Sequence, residues 1–184
     1  MDKKQKILLI GDDIRFFSGV ACASKELVKQ TIHKYDWAMI GGASQHPEAG
    51  KVADISPVFN HELNIKDSYA KIYSTHGYGD ANILFQVIEM EKPNAICMIT
   101  DPRFYGWLFN VEAAIHSMGI PIVYWSIWDA LPYPIWNRPF YDSCDGLFGI
   151  SKQTHNLHKW TCDPLNCLSI DGEFDADGNL IKFI

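Results

Sequence analysis

Apolar positions along this chain fall into short runs. Each run is closed by turn residues and followed by a longer stretch with an apolar residue at every third or fourth place. The first run is Lys6-Ile7-Leu8-Leu9-Ile10-Gly11. A continuous apolar segment of this kind predicts a strand buried on both faces. Gly11-Asp12-Asp13 then turns the chain. Over residues 19–35, Val20, Ala23, Leu27 and Ile32 approximate one stripe, while Lys25, Glu26, Lys29 and Gln30 are polar. That pattern predicts a helix with Ser18 as its N-cap. Trp37-Ala38-Met39-Ile40 is a second strand, closed by Gly41-Gly42. Residues 43–68 are less regular, with a short strand expected over 52–59, and 69–73 reads as another.

Gly79 or Asp80 opens a helix that runs to Glu91 and stops at Lys92-Pro93. Residues 95–99 are a strand ending in Thr100-Asp101-Pro102, and 106–118 reads as a helix stopped by Gly119. A strand over 120–124 leads into an aromatic, proline-rich loop, 125–134. A short helix over 135–142, a strand over 146–150, a helix capped by Ser151 and running to Trp160, and a short strand over 167–170 complete the series. Residues 175–179 read as a turn and 180–184 as an apolar tail. The alternation predicts α/β architecture: one doubly wound, mainly parallel Rossmann-like sheet with helices on both faces, a single domain over 1–184. Ligands of such sheets bind at the carboxyl ends of the strands, near the reversal of strand order. The loops to watch are therefore 11–19, 41–47, 100–106 and 125–134.

Composition narrows this picture. With 47% apolar and 13% aromatic residues among 184, the chain can bury a sizeable core. Its net charge of −6, without a basic stripe, disfavours nucleic acid, and it also argues against a strong anionic-membrane footprint. The five cysteines are odd in number and contain no C-x-x-C pair, the usage of reduced thiols in a cytoplasmic protein. No apolar run is long enough for a signal segment or membrane span. His155 and His158 stand at i, i+3 without a nearby carboxylate, so no metal site is expected.

Three loops carry candidate chemistry. Ser18-Gly19 lies at a helix N-terminus, where free N–H groups favour an anion, with Arg15 close by in sequence. The loop is neither G-x-G-x-x-G nor a P-loop, which removes the main support for nicotinamide or ATP chemistry. A capped helix following a turn explains it equally well. Asp101 falls at a strand end, placed to hold an acceptor hydroxyl or act as a base. Arg103 suits a phosphate, and an internal Asp–Arg pair is the alternative. Trp128, Asp129 and Tyr133 sit in the aromatic loop, where ring faces beside a carboxylate suit a sugar. A surface that docks another domain or subunit reads the same way.

The order of these pieces resembles the N-terminal domain of GT-B glycosyltransferases of the group 1 kind. Ser18-Gly19-Val20 after the first strand is similar to that family's glycine loop. Glu91-Lys92-Pro93-Asn94-Ala95-Ile96 through Thr100-Asp101-Pro102 resembles its P-D-V-V-H strand. Gly119-Ile120-Pro121-Ile122-Val123-Tyr124 with Trp128-Asp129 resembles its G-x-P-V-V strand ending in His-Asp, and Cys144-Asp145-Gly146 through Ser151 its A-D-x-V-x-x-x-S segment. Trp128 stands where the family often has His, so that residue's role does not carry over.

The resemblance implies sugar transfer from a nucleotide-diphosphate sugar, retaining and without a bound metal or other cofactor. Loop 11–19 would face donor phosphates or acceptor. Asp101, Arg103, Trp128, Asp129 and Tyr133 would line the acceptor side, with Asp101 and Asp129 as the catalytic candidates. The family's nucleotide-sugar pocket lies mostly in a C-terminal domain, so the chain is expected to be an acceptor-side half. Its opposite wall would come from that domain or from a second subunit. Peripheral membrane contact and homo-oligomerisation stay open. Two other classes compete. Asp12-Asp13 with Asp101 imitate the acidic pocket of a signalling receiver domain, although no Lys follows the 120–124 strand. The aromatic loop suits a non-catalytic binding module.

Overall fold

The computed structural model describes residues 3–162, 172–174 and 180–183. The chain opens with β1 (Gln5–Asp12) and α1 (Gly19–Thr31), followed by β2 (Tyr35–Ala43) and a short β3 (Val52–Asp54). Next come α2 (Ser56–Leu63), β4 (Ala70–His76), α3 (Ala81–Glu91) and β5 (Ala95–Ile99). A 3₁₀ turn (Pro102–Tyr105) leads into α4 (Gly106–Phe109), α5 (Glu112–Ser117) and β6 (Ile122–Ser126). A second 3₁₀ turn (Ile135–Asn137) precedes α6 (Arg138–Asp142), β7 (Gly146–Gly149) and α7 (Lys152–Cys162). β8 (Gly172–Phe174) and β9 (Leu180–Phe183) pair antiparallel as a separate ribbon.

The main sheet has the order β3-β4-β2-β1-β5-β6-β7, and every pair is parallel except β3 with β4. The chain moves outward from β1 through β2 to β4, then returns to the other side of β1 for β5, β6 and β7. Strand order therefore reverses between β1 and β5. Side chains alternate across the sheet. Leu8, Ile10, Ile96, Met98, Ile122 and Tyr124 pack beneath α3 to α6. Leu9, Trp37, Met39, Ile72 and Ile99 pack against Val28 of α1 and Phe59 of α2. The architecture is the expected doubly wound α/β sheet with both faces covered. No helix among the described residues is long and apolar enough to cross a membrane.

Local chemistry explains most boundaries. Ser18 and Asp80 cap α1 and α3 through side-chain oxygens that accept the Ala21 and Ile83 N–H groups. Ser151 Oγ accepts the Thr154 N–H at the start of α7. Gly119, with φ 73°, ends the segment before β6.

Four expectations need correction. The strand anticipated over 52–59 stops at Asp54, because Asp54 turns the chain through the Ser56 N–H and Pro57 then sits in the first turn of α2. The helix over 106–118 is two pieces parted at Asn110-Val111. The first helix ends at Thr31, since Lys34 bonds back to Thr31 in a turn. The helix over 135–142 begins as a 3₁₀ turn. The expected strand over 167–170 and turn over 175–179 lie outside the described residues.

One buried polar cluster ties the sheet's lower edge. Glu91, at the end of α3, accepts from Lys6 Nζ (2.6 Å), Tyr69 OH (2.7 Å) and Tyr73 OH (2.6 Å). Burial alone would raise its pKa, but these bonds outweigh burial and hold it below the usual carboxylate range. On the α1 side of β5 to β7, Trp37, Cys97, Val123, Trp125 and Phe148 line an apolar groove of about 460 Å³, with Phe148 60% exposed.

Candidate functional site

Four loops meet at the carboxyl edge of the sheet, where the last residue of β1, Asp12, and the next residue, Asp13, are two consecutive carboxylates. Asp13 is fully buried, and its N–H donates to the Gly42 carbonyl at 3.0 Å. Its carboxylate accepts from Arg15 Nη2 at 2.7 Å, Arg15 Nε at 3.0 Å and His46 Nε2 at 2.9 Å. His46 Nδ1 accepts the Glu48 N–H at 3.0 Å, so Nε2 carries the proton that reaches Asp13. Burial pushes the Asp13 pKa up, yet the bonds from Arg15 and His46 bring it below the ordinary value. Arg15 also reaches Glu48 (2.7 Å) and Ser74 (2.9 Å). Its guanidinium is thus committed to joining the β1–α1 loop to loop 41–50 and β4, not to an open ligand site.

Asp12 lies on the other side of the strand end, half-buried. Ser18 Oγ donates to Asp12 Oδ2 at 2.5 Å while accepting the Ala21 N–H at 2.9 Å. Gly19 is exposed, and a Cβ there would meet nothing within 4 Å. Across the strand reversal, Asp101 follows β5 and accepts from Arg103 N (3.0 Å), Nε (3.0 Å) and Nη2 (2.5 Å). Burial raises the Asp101 pKa, and the Arg103 bonds overcome that to hold it below the usual range. A carboxylate so held is a weak base and a good hydrogen-bond acceptor.

Tyr78, two residues past β4, packs on the 3₁₀ turn that follows β5. Its ring stacks on Phe104 (centroids 4.7 Å apart) and meets Tyr105 edge-on at 5.4 Å. Burial raises its phenol pKa, and the charges of Asp12 and Asp101 add to the rise. Tyr78 stands between Gly77 (φ 56°) and Gly79 (φ 77°), a backbone conformation that only glycine adopts at low cost.

Beside this crevice, Asp101, Tyr124, Ile127, Trp128, Asp129 and Ala130 surround a pocket of about 240 Å³. Arg103 lies 5.4 Å from the Trp128 ring. Trp128 Nε1 donates to the Ala130 carbonyl at 2.8 Å, and its ring meets Trp136 edge-on at 5.8 Å. The Asp129 side chain is exposed, and its carbonyl accepts from Gln153 Nε2 at 2.9 Å. Tyr133 does not line this pocket; together with Trp128 it packs against Leu157 and Trp160 of α7.

The structure therefore brings Asp101, Arg103, Trp128 and Asp129 together and places Ser18 beside Asp12. It sends Arg15 into an internal network and Tyr133 into a satellite core. Tyr78 and the Asp13–His46 pair were not singled out from sequence. The one local signal for Tyr78 is its pair of flanking glycines. Among the described residues, no group of three or more His, Cys, Asp or Glu side chains is placed to hold a metal ion. A larger cleft of about 600 Å³ runs between β4, residues 49–52 and α3, but it lies away from the strand reversal and carries fewer convergent acidic and aromatic groups. Comparison with protein-family models, curated proteins and solved structures gives no match for this chain.

Proposed function

We propose that this chain is the acceptor-side half of a glycosyltransferase that moves a sugar from a nucleotide-diphosphate sugar. Its opposite wall would be supplied by a second α/β domain or another subunit. The observation that carries the reading is the grouping of Asp101, Trp128 and Asp129 around one pocket at the carboxyl edge, with Arg103 5.4 Å from the Trp128 ring. A carboxylate beside an aromatic face suits a sugar ring: hydroxyls donate to the carboxylate while the apolar ring face lies on the indole. Asp101, weakened as a base by Arg103, would orient the acceptor hydroxyl. Exposed Asp129 is the group left to take its proton.

The receiver alternative loses support from Asp13, which is sealed by Arg15 and His46 and cannot join Asp12 in an open acidic pocket. The interaction-module alternative keeps one favourable observation, the exposed Phe148 groove. A tight dimer by sedimentation, with no response to any sugar, would favour that module.

The test is to titrate the chain with a panel of glycosides and nucleotide sugars while following the Trp128 indole by NMR, with Trp128→Ala as reference. A Trp128-specific response to sugars supports the proposal, and a silent indole across the panel sinks the sugar reading. Sugar transfer by residues 1–184 alone would sink the half-enzyme reading.

A further inference from the structure

The cleft of about 600 Å³ between residues 49–52, β4 and α3 has no part in the site described above. One of its walls is a face of α3. Ile83, Val87 and Met90 line it at i, i+4 and i+7, over about 10 Å of helix. Val52 of β3 lines it from the other side. Val52 and Met90 are 56% and 60% exposed, so the cleft keeps open apolar surface for an apolar body.

Two opposite charges line the same cleft, one on each wall. Lys51 stands on the loop wall, and its ammonium has no ion-pair or hydrogen-bond partner among the described residues. Asp80 stands at the start of α3. Its Oδ1 accepts the Ile83 N–H at 2.9 Å, and no cation pairs with it among the described residues. Lys51 and Asp80 are therefore not paired with each other. An anionic ligand would satisfy Lys51 but face Asp80, and a cationic one would do the reverse. A molecule that carries both charges answers both walls.

The loop wall is braced from inside the fold. Arg15 donates to Glu48 at 2.7 Å and to Ser74 Oγ at 2.9 Å. The His46 N–H donates to His76 Nδ1 at 3.2 Å, and the Gly50 N–H to the Ser74 carbonyl at 2.8 Å. Buried Asp13 holds both Arg15 and His46. Buried ion pairs add little net stability. What this one secures is the position of residues 46–50 against β4, so the wall is in place before a ligand arrives and little ordering is left for binding to offset.

We propose that this cleft binds a zwitterion with an apolar body, of the class of apolar amino acids and short apolar peptides. Lys51 meets the carboxylate, Asp80 meets the ammonium, and Val52, Ile83, Val87 and Met90 take the apolar side chain. The site is separate from the Asp101–Trp128 pocket, and it stands or falls independently of sugar transfer.

The probes are L-leucine and L-leucyl-L-leucine, with 4-methylpentanoate as the carboxylate-only analogue, isoamylamine as the amine-only analogue and a neutral methyl glycoside as the uncharged control. Backbone NMR would follow wild type, Lys51→Gln and Asp80→Asn. Lys51 is exposed, and Asn caps a helix as well as Asp, so both variants should fold. A zwitterion is expected to shift the amides of Lys51, Ile83 and Met90 in wild type, with about fivefold weaker binding in each variant. The carboxylate-only analogue should bind Asp80→Asn more tightly than wild type, and the amine-only analogue should bind Lys51→Gln more tightly. Zwitterion binding indifferent to both substitutions overturns the proposal, as does wild-type binding of either one-charge analogue or of the glycoside as tight as that of the zwitterions. Silence of these amides toward both zwitterions at millimolar concentration overturns it as well, and leaves the Trp128 test of the transferase reading untouched.

Discussion

Ser18 binds Asp12 with the same hydroxyl that caps α1: Oγ accepts the Ala21 N–H at 2.9 Å and donates to Asp12 Oδ2 at 2.5 Å. One side chain therefore fixes the helix start and orients the carboxylate at the end of β1. Ser18→Ala removes both bonds. It should lower stability by about 1–2 kcal/mol, read from the urea midpoint. Ser18→Asp restores a cap but sets two carboxylates side by side, and should recover less than Ser18→Asn.

Asp13 anchors Arg15 and His46 from a fully buried position. Asp13→Ala leaves both donors without their acceptor and should cost about 3 kcal/mol or more in chemical denaturation. Because the folded pKa lies below the ordinary 3.8, this carboxylate contributes stability above that pH and loses it as pH falls through the lowered value. The acid limb of wild type below pH 3.8 should therefore be steeper than that of Asp13→Asn.

Glu91 gives a similar acid dependence from the opposite edge of the sheet. Its folded pKa is below 4.5, so its contribution is present above pH 4.5 and fades below it. Its partners Tyr69 and Tyr73 are shifted upward from 10.0, chiefly by burial and then by the Glu91 bonds, so they favour the fold below pH 10.0 and lose that contribution as pH rises beyond it. Glu91→Gln should flatten the melting temperature at both extremes, measured by circular dichroism across pH.

His158 sits against the Tyr141 ring, 5.0 Å between centroids, with both ring nitrogens lacking hydrogen-bond partners among the described residues. Burial, and then His155, push its pKa down from 6.5 to about 4. The neutral form fits the fold, so its contribution is complete above pH 6.5 and falls away toward pH 4. His158→Leu should remove roughly one proton's worth of pH slope in that window.

Two glycines near the site should respond in opposite directions. A Cβ at Gly42 would stand 2.3 Å from the Gly77 carbonyl oxygen, so Gly42→Ala should destabilise by about 2 kcal/mol or more. A Cβ at Gly19 meets nothing within 4 Å at the start of α1, and Gly19→Ala should stabilise by about 0.5 kcal/mol. Thermal melts of the pair check both signs.

The strand and helix order was legible because it rests on local patterns. Continuous apolar runs marked the buried parallel strands, and Ser18, Asp80, Gly119 and Ser151 announced helix ends through side-chain or backbone properties of their own. Asp101, Trp128 and Asp129 could be placed together before the structure was known, because parallel strands deliver their following loops to one edge. The short α2 was not legible. The apolar character of residues 52–59 suits a strand, whereas Asp54 and Pro57 turn and start a helix within it.

Pairings across long sequence distances belong to the tertiary structure alone. Asp13 meets His46 over 33 positions, and Lys6 meets Glu91 over 85. No local periodicity marks either pair, because each depends on which strands lie side by side. The same adjacency turned Arg15 inward and Tyr133 toward α7, and it set Tyr78 against Phe104 and Tyr105. By itself the sequence determined a doubly wound α/β chain and the edge where its strand-end loops gather, since hydrophobic period and capping chemistry act over a few residues. Which side chains remain open to a ligand at that edge was decided only by folding, since that depends on charges brought together from distant parts of the chain.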